Sequence, residues 1–363
     1  MRLLHSGKFS DKKILLIDKN AKNTNDRTWC FWEDGAGFFE NIVYKKWDTV
    51  SFFGDDFTKD LQIAPYQYKM IRGADFYNYC FTEIKKHSNV EIVQASVQSW
   101  QYENDDIVFI IDDNRYTLRN EKTEIFNSFY TPDEPHSDKT ITLLQHFKGW
   151  LIETAKPSFT PDRATLMDFR VHQQHGTTFA YVLPFSETKA LVEYTLFTKQ
   201  LLAKEKYDIE LGNYMRTILE VSDYTILDEE FGVIPMTNKR FSFNGKGRQI
   251  GTAGGQTKAS TGYTFQFIQK QSAQIAASLL QNIALDSLSF SSPARFRFYD
   301  NTLLDILYNN TLPGKKIFSQ LFKKNNPQSI LRFLDNESSL PEELKIISSL
   351  PAWPFLKAAM RQL

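Results

Sequence analysis

No stretch limits the folding of this chain as much as residues 248–263, Arg-Gln-Ile-Gly-Thr-Ala-Gly-Gly-Gln-Thr-Lys-Ala-Ser-Thr-Gly-Tyr. Three glycines follow a strand that ends at Gln249-Ile250, and a helix comes next with Ile275, Ala276, Leu279 and Ile283 on one face. Glycines let a backbone approach a ligand closely. A Ser/Thr-capped helix start beyond them offers free N–H groups and the positive end of a dipole to an anion. The GxxxxGK[ST] spacing of a Walker loop is absent. So late in the chain, the loop fits the pyrophosphate and ribityl side of a flavin fold. Gly251, Gly254, Gly255, Thr261 and Gly262 are the expected cofactor contacts.

A second signal lies near the start. Ile14-Leu15-Leu16-Ile17-Asp18 is a continuous apolar run ending in an acid, the pattern of a parallel strand buried on both faces. In dinucleotide-binding units the second strand ends in an acid that binds the adenosine ribose, about 20 residues after a GxGxxG loop. Asp18 has the position for that role, and an exposed strand end explains it equally. Gly7 is the only upstream glycine, and Met1-Arg2-Leu3-Leu4 reads as the end of a helix. The glycine loop and first strand are therefore expected before residue 1, a segment of roughly 20 to 25 residues by the size of a βαβ unit. In Asn25-Asp26-Arg27-Thr28-Trp29-Cys30-Phe31-Trp32-Glu33, Arg27 is placed to meet a phosphate or an acidic partner. Its tryptophans either stack on a ring or fill a core.

Strands are expected at 48–53 and 58–63, and a helix over 73–87 with Phe76, Cys80 and Ile84 on one face. Segments 90–93, 95–102, 106–111 and 115–118 alternate between turns at Asn104-Asp105 and Asp112-Asp113-Asn114, as a small antiparallel layer does. Residues 124–129 read as a return strand. From residue 140 four long strands, 140–154, 164–171, 177–184 and 189–197, form an antiparallel sheet with one face toward a pocket. Leu191, Glu193, Thr195 and Phe197 share a face. A carboxylate among apolar neighbours is costly unless paired or protonated, so Glu193 is either at a wet edge or functionally placed. Asp168 poses the same question, with Arg170 as a same-face partner and a structural ion pair as the alternative. His172 and His175 have HxxH spacing in a loop without a third ligand nearby, and no metal is expected. Residues 199–221 read as a charged amphipathic helix. Asp228-Glu229-Glu230 then enters an apolar strand that stops at Pro235, with at least one of these acids solvated.

Beyond Pro293 the chain reads as short amphipathic helices interleaved with Lys315, Lys316, Lys323, Lys324 and Arg332. They are either a packed lid or a segment lying in a bilayer interface, with packing expected for most of it. The expected layout is residues 1–139 with 246–290, 140–245, and 291–363. Balanced charge, 43 Lys+Arg against 43 Asp+Glu, gives no field for a polyanion, which sets nucleic-acid binding aside. Cys30 and Cys80 lack CxxC spacing, which fits a reducing compartment. No apolar run reaches about 18 residues and no signal-peptide core precedes Lys12. The 30 phenylalanines point to an aromatic core, an aromatic-lined pocket, or both.

Taken together, Asn25 to Trp32, Leu144-Gln145-His146-Phe147-Lys148-Gly149-Trp150, Met167-Asp168-Phe169-Arg170-Val171, Tyr181 to Phe185, Leu191-Val192-Glu193-Tyr194-Thr195, Val233-Ile234-Pro235-Met236 and Gly251 to Tyr263 resemble the flavin-dependent bacterial lycopene beta-cyclases over essentially the whole chain. The resemblance implies an α/β fold: a Rossmann-like FAD-binding domain, here without its first strand, interleaved with an antiparallel-sheet substrate domain and a C-terminal helical region. It implies closure of the linear ends of lycopene into beta-ionone rings, giving beta-carotene via gamma-carotene, with reduced FAD required but no net redox change. NAD(P)H is the source of flavin reduction that this allows, and lycopene and other carotenoids are the substrates. The location it implies is cytoplasmic, peripheral to the inner membrane. Two departures stand out. Tyr194 replaces the second acid of the LEET-like motif, and Ala259 replaces the usual proline before Ser-Thr-Gly.

On this reading Glu193 is the general acid, with Asp168 or the Glu229/Glu230 pair assisting or accepting the returning proton. Aromatic faces and an anionic flavin hold the carbocation between those steps. Asp18 and Arg27 join the glycine loop as cofactor contacts. Two rivals are open at this stage: an FAD-dependent isoprenoid oxidoreductase, and a non-catalytic chain that binds carotenoid or membrane but not FAD.

Overall fold

The computed structural model describes residues 1–104, 106–119, 123–130, 140–243 and 247–362. Asp105 and the domain boundaries expected at 139 and 246 lie outside them. The chain opens with α1 (Arg2–His5), β1 (Ile14–Asp18), β2 (Thr28–Asp34), β3 (Lys45–Trp47), β4 (Thr49–Phe53), β5 (Thr58–Gln62) and β6 (Tyr66–Arg72). Next come α2 (Gly73–Ile84), β7 (Val90–Gln94), β8 (Val97–Glu103), β9 (Asp106–Ile111), β10 (Asn114–Arg119) and β11 (Phe126–Asn127). The long strands β12 (Thr142–Thr154), β13 (Arg163–Asp168), β14 (Thr177–Pro184) and β15 (Lys189–Thr198) lead to α3 (Lys204–Thr217) and β16 (Tyr224–Thr237). β17 (Arg248–Gln249) and α4 (Phe265–Leu280) precede five helices: α5 (Ala294–Tyr308), α6 (Gly314–Lys324), α7 (Pro327–Leu334), α8 (Leu340–Ser349) and α9 (Ala352–Met360).

A seven-stranded sheet in the order β16-β12-β15-β14-β13-β4-β5 organises the molecule. It is antiparallel except where β4 runs parallel to β13. Both its faces are covered. On one, Tyr207, Leu211, Tyr214 and Met215 of α3 pack on Val182, Val192, Tyr194 and Leu196. On the other, Phe179, Leu183, Leu191 and Phe197 share a larger core with α5, α6 and α7, and with Trp32, Trp47, Tyr68 and Met70 of a second sheet, β2-β6-β3. Phe52, Phe169, Phe179 and Phe296 are wholly buried. Each such side chain contributes about 1.5 to 3 kcal/mol of apolar transfer, so much of the phenylalanine content serves packing.

The parallel elements are two short pairs, β1 with β7 and β11 with β17. The run at Ile14–Asp18 is the parallel strand expected, but Leu15 and Leu16 are 57% and 41% exposed. β7 is its one sheet neighbour among the described residues, so the expectation of burial on both faces does not hold. Residues 90–93 likewise leave the expected antiparallel layer, which forms from β8, β9 and β10 alone. The acidic cluster at 228–230 lies within β16 instead of preceding it. β16 also runs through Pro235, which an edge strand tolerates because one side of its backbone makes no ladder bonds.

Candidate active site

Cross-strand register creates the site. Gly149 of β12 sits opposite Glu193 of β15 on one side and Glu230 of β16 on the other. Paired residues point to the same face, so both carboxyls converge over a residue with no side chain. A Cβ at Gly149 would lie 3.0 Å from Glu230 Cγ and 3.1 Å from Leu191 Cδ1, so the glycine is what makes room. Thr195 Oγ1 donates to Glu193 Oε1 at 2.5 Å, and Thr28 Oγ1, from β2, donates to Glu230 Oε2 at 2.7 Å.

Burial pushes Glu193 up to about 8, with the neighbouring Glu230 charge adding to the rise. Burial likewise pushes Glu230 up to about 7, and the Thr28 hydrogen bond opposes this. Glu230 Oε1 is buried and takes no hydrogen bond from a conventional donor. A second ionised carboxylate cannot satisfy it, whereas a protonated Glu193 donating to Glu230 does. At neutral pH the two therefore act as a unit that holds a proton.

Around the pair stands a ring of weak acids. Tyr181 lies opposite Glu193 on β14, and its hydroxyl donates to Tyr263. Cys30 accepts from Tyr68. Burial raises all four, so they stay protonated. Beside Tyr181 and Tyr263 lies a narrow cleft of about 10 Å³, walled by Phe179, Phe197, Phe318 and Phe322. Thr28, Cys30 and Trp32 alternate toward this region along β2, while Trp29 and Phe31 turn the other way, onto Phe265 at the start of α4.

Other candidates lie elsewhere. Asp168 pairs with Ala180, which pairs with Tyr194, so it points to the α3 face, opposite Glu193. There it is wholly buried and accepts from Arg170 Nε at 2.9 Å, from the Arg170 backbone N–H at 2.9 Å and from Tyr214 Oη at 2.8 Å. That is the structural ion pair, and this geometry does not bring Asp168 to Glu193. Glu229 also points to the α3 face, half exposed, 2.9 Å from Lys148 Nζ. Of the acidic cluster only Glu230 reaches the site. Tyr194, standing where the motif has its second acid, is buried on the α3 face, so this departure leaves the acid pair intact. His175 lies 4.0 Å from Glu210 Oε1.

Glycines of the 251–262 loop are occupied by the chain's own packing. A Cβ would strike the Gln249 carbonyl at Gly254, Phe241 at Gly255 and Gln145 at Gly262. The Gly251 N–H is held by Gln271 Oε1 at 2.9 Å. Packing by Gln249, Phe241 and Gln145 thus accounts for three of these glycines without a ligand. A buried cluster pins the loop to the C-terminal helices: Ser260 Oγ donates to Asp300 Oδ1 at 2.7 Å, and Lys258 Nζ reaches Asp300 and Asn336. What remains open lies further on. No side chain caps α4, and its first-turn residues Phe265, Gln266 and Phe267 line a pocket with Cys30, Trp32, Tyr263 and Asp335. Free amides at a helix start beside aromatic walls fit a flat anionic ring. Thr261 Oγ1, buried nearby, has no partner. Asp18 and Arg27 fall in one surface cluster with Lys22, Asp26 and Tyr77. Asp18 accepts from the Asn20 N–H, and Arg27 is engaged by Asp26.

Sequence reasoning missed Thr28, Gly149 and Tyr181: cross-strand register brings Gly149 and Tyr181 to Glu193, and packing of the separate β2-β6-β3 sheet brings Thr28 to Glu230.

A profile of the family described as "Lycopene cyclase protein" matches residues 5–360. Solved structures share the fold at low identity. A geranylgeranyl bacteriochlorophyll reductase-like protein from Thermoplasma acidophilum aligns over 100% of this chain and 96% of its own, with a TM-score of 0.60 and 11% identity. A flavoprotein/dehydrogenase from Cytophaga hutchinsonii aligns over 99% and 95%, at 0.59 and 14%. The flavin-dependent brominase Bmp2 aligns over 97% and 93%, at 0.56 and 12%. Among curated proteins no sequence matches.

Proposed function

The chain belongs to the lycopene cyclase family, and from that membership we propose that it closes the linear ends of lycopene into beta-ionone rings by acid catalysis without net redox. The observation that carries this reading is the buried Glu193–Glu230 pair beside an aromatic cleft. Protonating an unactivated double bond requires a carboxylic acid kept neutral at pH 7, which burial and a like-charged neighbour provide. Glu193, the donor within the pair, gives its proton to the terminal double bond. The next double bond attacks the resulting cation and closes the ring, and a ring proton then leaves to the Glu193–Glu230 pair. No atom is gained or lost, so substrate and product have equal mass. Phe179, Tyr181, Phe197 and Phe318 offer π faces to the cation.

FAD is the cofactor expected, in its reduced form with NAD(P)H as the reductant. The first turn of α4 and the Cys30–Trp32 segment would hold its ring, and Asp18 and Arg27 its adenosine end. When bound it supplies negative charge near the developing cation. Lycopene-accumulating cells expressing the chain test the reading: a red pigment becomes a yellow one of identical mass, and Glu193→Gln abolishes the change. The likeness to the Thermoplasma geranylgeranyl bacteriochlorophyll reductase-like protein supports a second reading, as an isoprenoid reductase. A product heavier than the substrate, formed with consumption of nicotinamide, would establish that instead.

A further inference from the structure

The pocket at the start of α4 has a carboxylic acid in its wall. Asp335 follows the last turn of α7 and is 8% exposed. It lines the pocket with Cys30, Trp32, Tyr263 and the first-turn residues of α4. A buried carboxylate is normally paired with a cation, yet Asp335 has no ion pair among the described residues. The lysines whose charges reach it are engaged elsewhere. Lys258 Nζ lies 2.9 Å from Asp300 Oδ1, and Lys270 Nζ lies 2.6 Å from Glu337 Oε1 and donates to the Asp335 backbone carbonyl at 3.2 Å.

Two demands therefore meet in this pocket. The unbonded amides at the start of α4 favour negative charge on a bound ring, and an ionised Asp335 repels it. Burial raises the Asp335 carboxyl to about 7 and Glu337 adds to the rise, while Lys270, the Trp32 indole N–H and Lys258 oppose it. Cys30 and Tyr263, also in the wall, are raised by burial and stay protonated. Glu33, next to Trp32, is paired with Lys69, and Arg332 of α7 with Glu342. Laying a flat ring against the Asp335 carboxyl removes its remaining water, and negative charge on that ring adds a like charge. Both effects favour the neutral acid.

On the reading that this pocket takes the flavin ring, we propose that Asp335 is a cofactor-binding residue whose carboxylate takes a proton from solvent as the ring enters, so that flavin and proton bind together. The ionised form of Asp335 holds the ring out and the neutral acid admits it.

The test is titration of the full chain with oxidised FAD between pH 5.5 and 8.5, a range in which FAD itself does not ionise. Flavin fluorescence gives the affinity, and calorimetry in buffers of different ionisation enthalpy counts the protons taken up. At low pH Asp335 is already protonated, so affinity is expected to be constant there and to weaken as pH rises through about 7, approaching about tenfold per pH unit. Proton uptake is expected to climb from near zero at pH 5.5 through about half a proton per FAD at pH 7 toward one at pH 8.5. Asp335→Asn keeps the shape of the neutral acid. It is expected to bind FAD without proton uptake and, at pH 8.5, at least about tenfold more tightly than the parent, a gain that damage to the fold does not produce. Lys270→Gln, at a side chain 41% exposed, removes a positive charge that opposes the rise and is expected to move the midpoint of the pH dependence upward. FAD affinity indifferent to pH, or a Lys270→Gln midpoint unmoved or lowered, would overturn the proposal and leave the flavin reading standing. The same holds if proton uptake persists in Asp335→Asn, since the proton then belongs to the Glu193–Glu230 pair. Failure to bind FAD even at pH 5.5 would overturn the flavin reading of the pocket and the proposal with it.

Discussion

Replacing Glu193 by glutamine removes a proton site that the fold holds far from its ordinary value, and the consequence is readable without any substrate. In the unfolded chain this carboxyl titrates near 4.5, and in the fold it is pushed up to about 8. Below pH 4.5 it is protonated in both states and contributes nothing to the pH dependence. Between the two values the folded protein binds the extra proton, so stability falls as pH rises, and above about 8 the full penalty is present. At about 1.36 kcal/mol per pH unit the limit is about 5 kcal/mol, and sharing of the proton with Glu230 reduces it to about 2 to 4. The glutamine side chain carries no such charge, and its amide still donates to Glu230. Urea unfolding at a series of pH values is the assay. Variant and parent are expected to unfold alike near pH 5, with the variant becoming the more stable by about 2 kcal/mol or more at pH 9. A stability difference that does not change between pH 5 and 9 would refute a protonated Glu193.

Three further substitutions separate catalysis from folding. Gly149→Ala crowds Glu230 Cγ and Leu191, so turnover is expected to fall at least about tenfold for about 1 to 2 kcal/mol of overpacking, read from kcat and melting together. Thr28→Val removes the hydrogen bond that holds Glu230 down; the basic limb of the pH–rate profile is expected to move up by about one unit, and a downward shift would contradict the assignment. Asp168→Asn deprives Arg170 and Tyr214 of their buried partner. It is expected to cost about 3 kcal/mol of stability while the folded fraction keeps its specific activity.

Strand alternation was legible in the sequence wherever both strand faces are packed. The face shared by Leu191, Glu193, Thr195 and Phe197 is the one the structure presents to the core, and period-2 spacing alone predicts it. What alternation cannot give is the partner across the strand. That Glu230 and not Glu229 meets Glu193 depends on the register against Gly149, fixed by pairings more than 30 residues apart in sequence. Asp168 was ambiguous for the same reason: its spacing from Arg170 announced the ion pair, but only the β13–β14 pairing shows that it faces α3. Glycine content is ambiguous in the 251–262 loop, because close approach by Gln249, Phe241 or Gln145 demands the same residue as close approach by a ligand. The exposure of Leu15 and Leu16 follows from β1 having one sheet neighbour among the described residues, which a local apolar run cannot report.

The account rests on a proton delivered to carbon by the Glu193–Glu230 pair, and turnover of lycopene in D₂O tests that step most directly. Each ring closed is predicted to retain one solvent deuteron, with no other mass change and none of the product formed by Glu193→Gln. A product without solvent deuterium, or one made equally well by the Glu193→Gln variant, would contradict it.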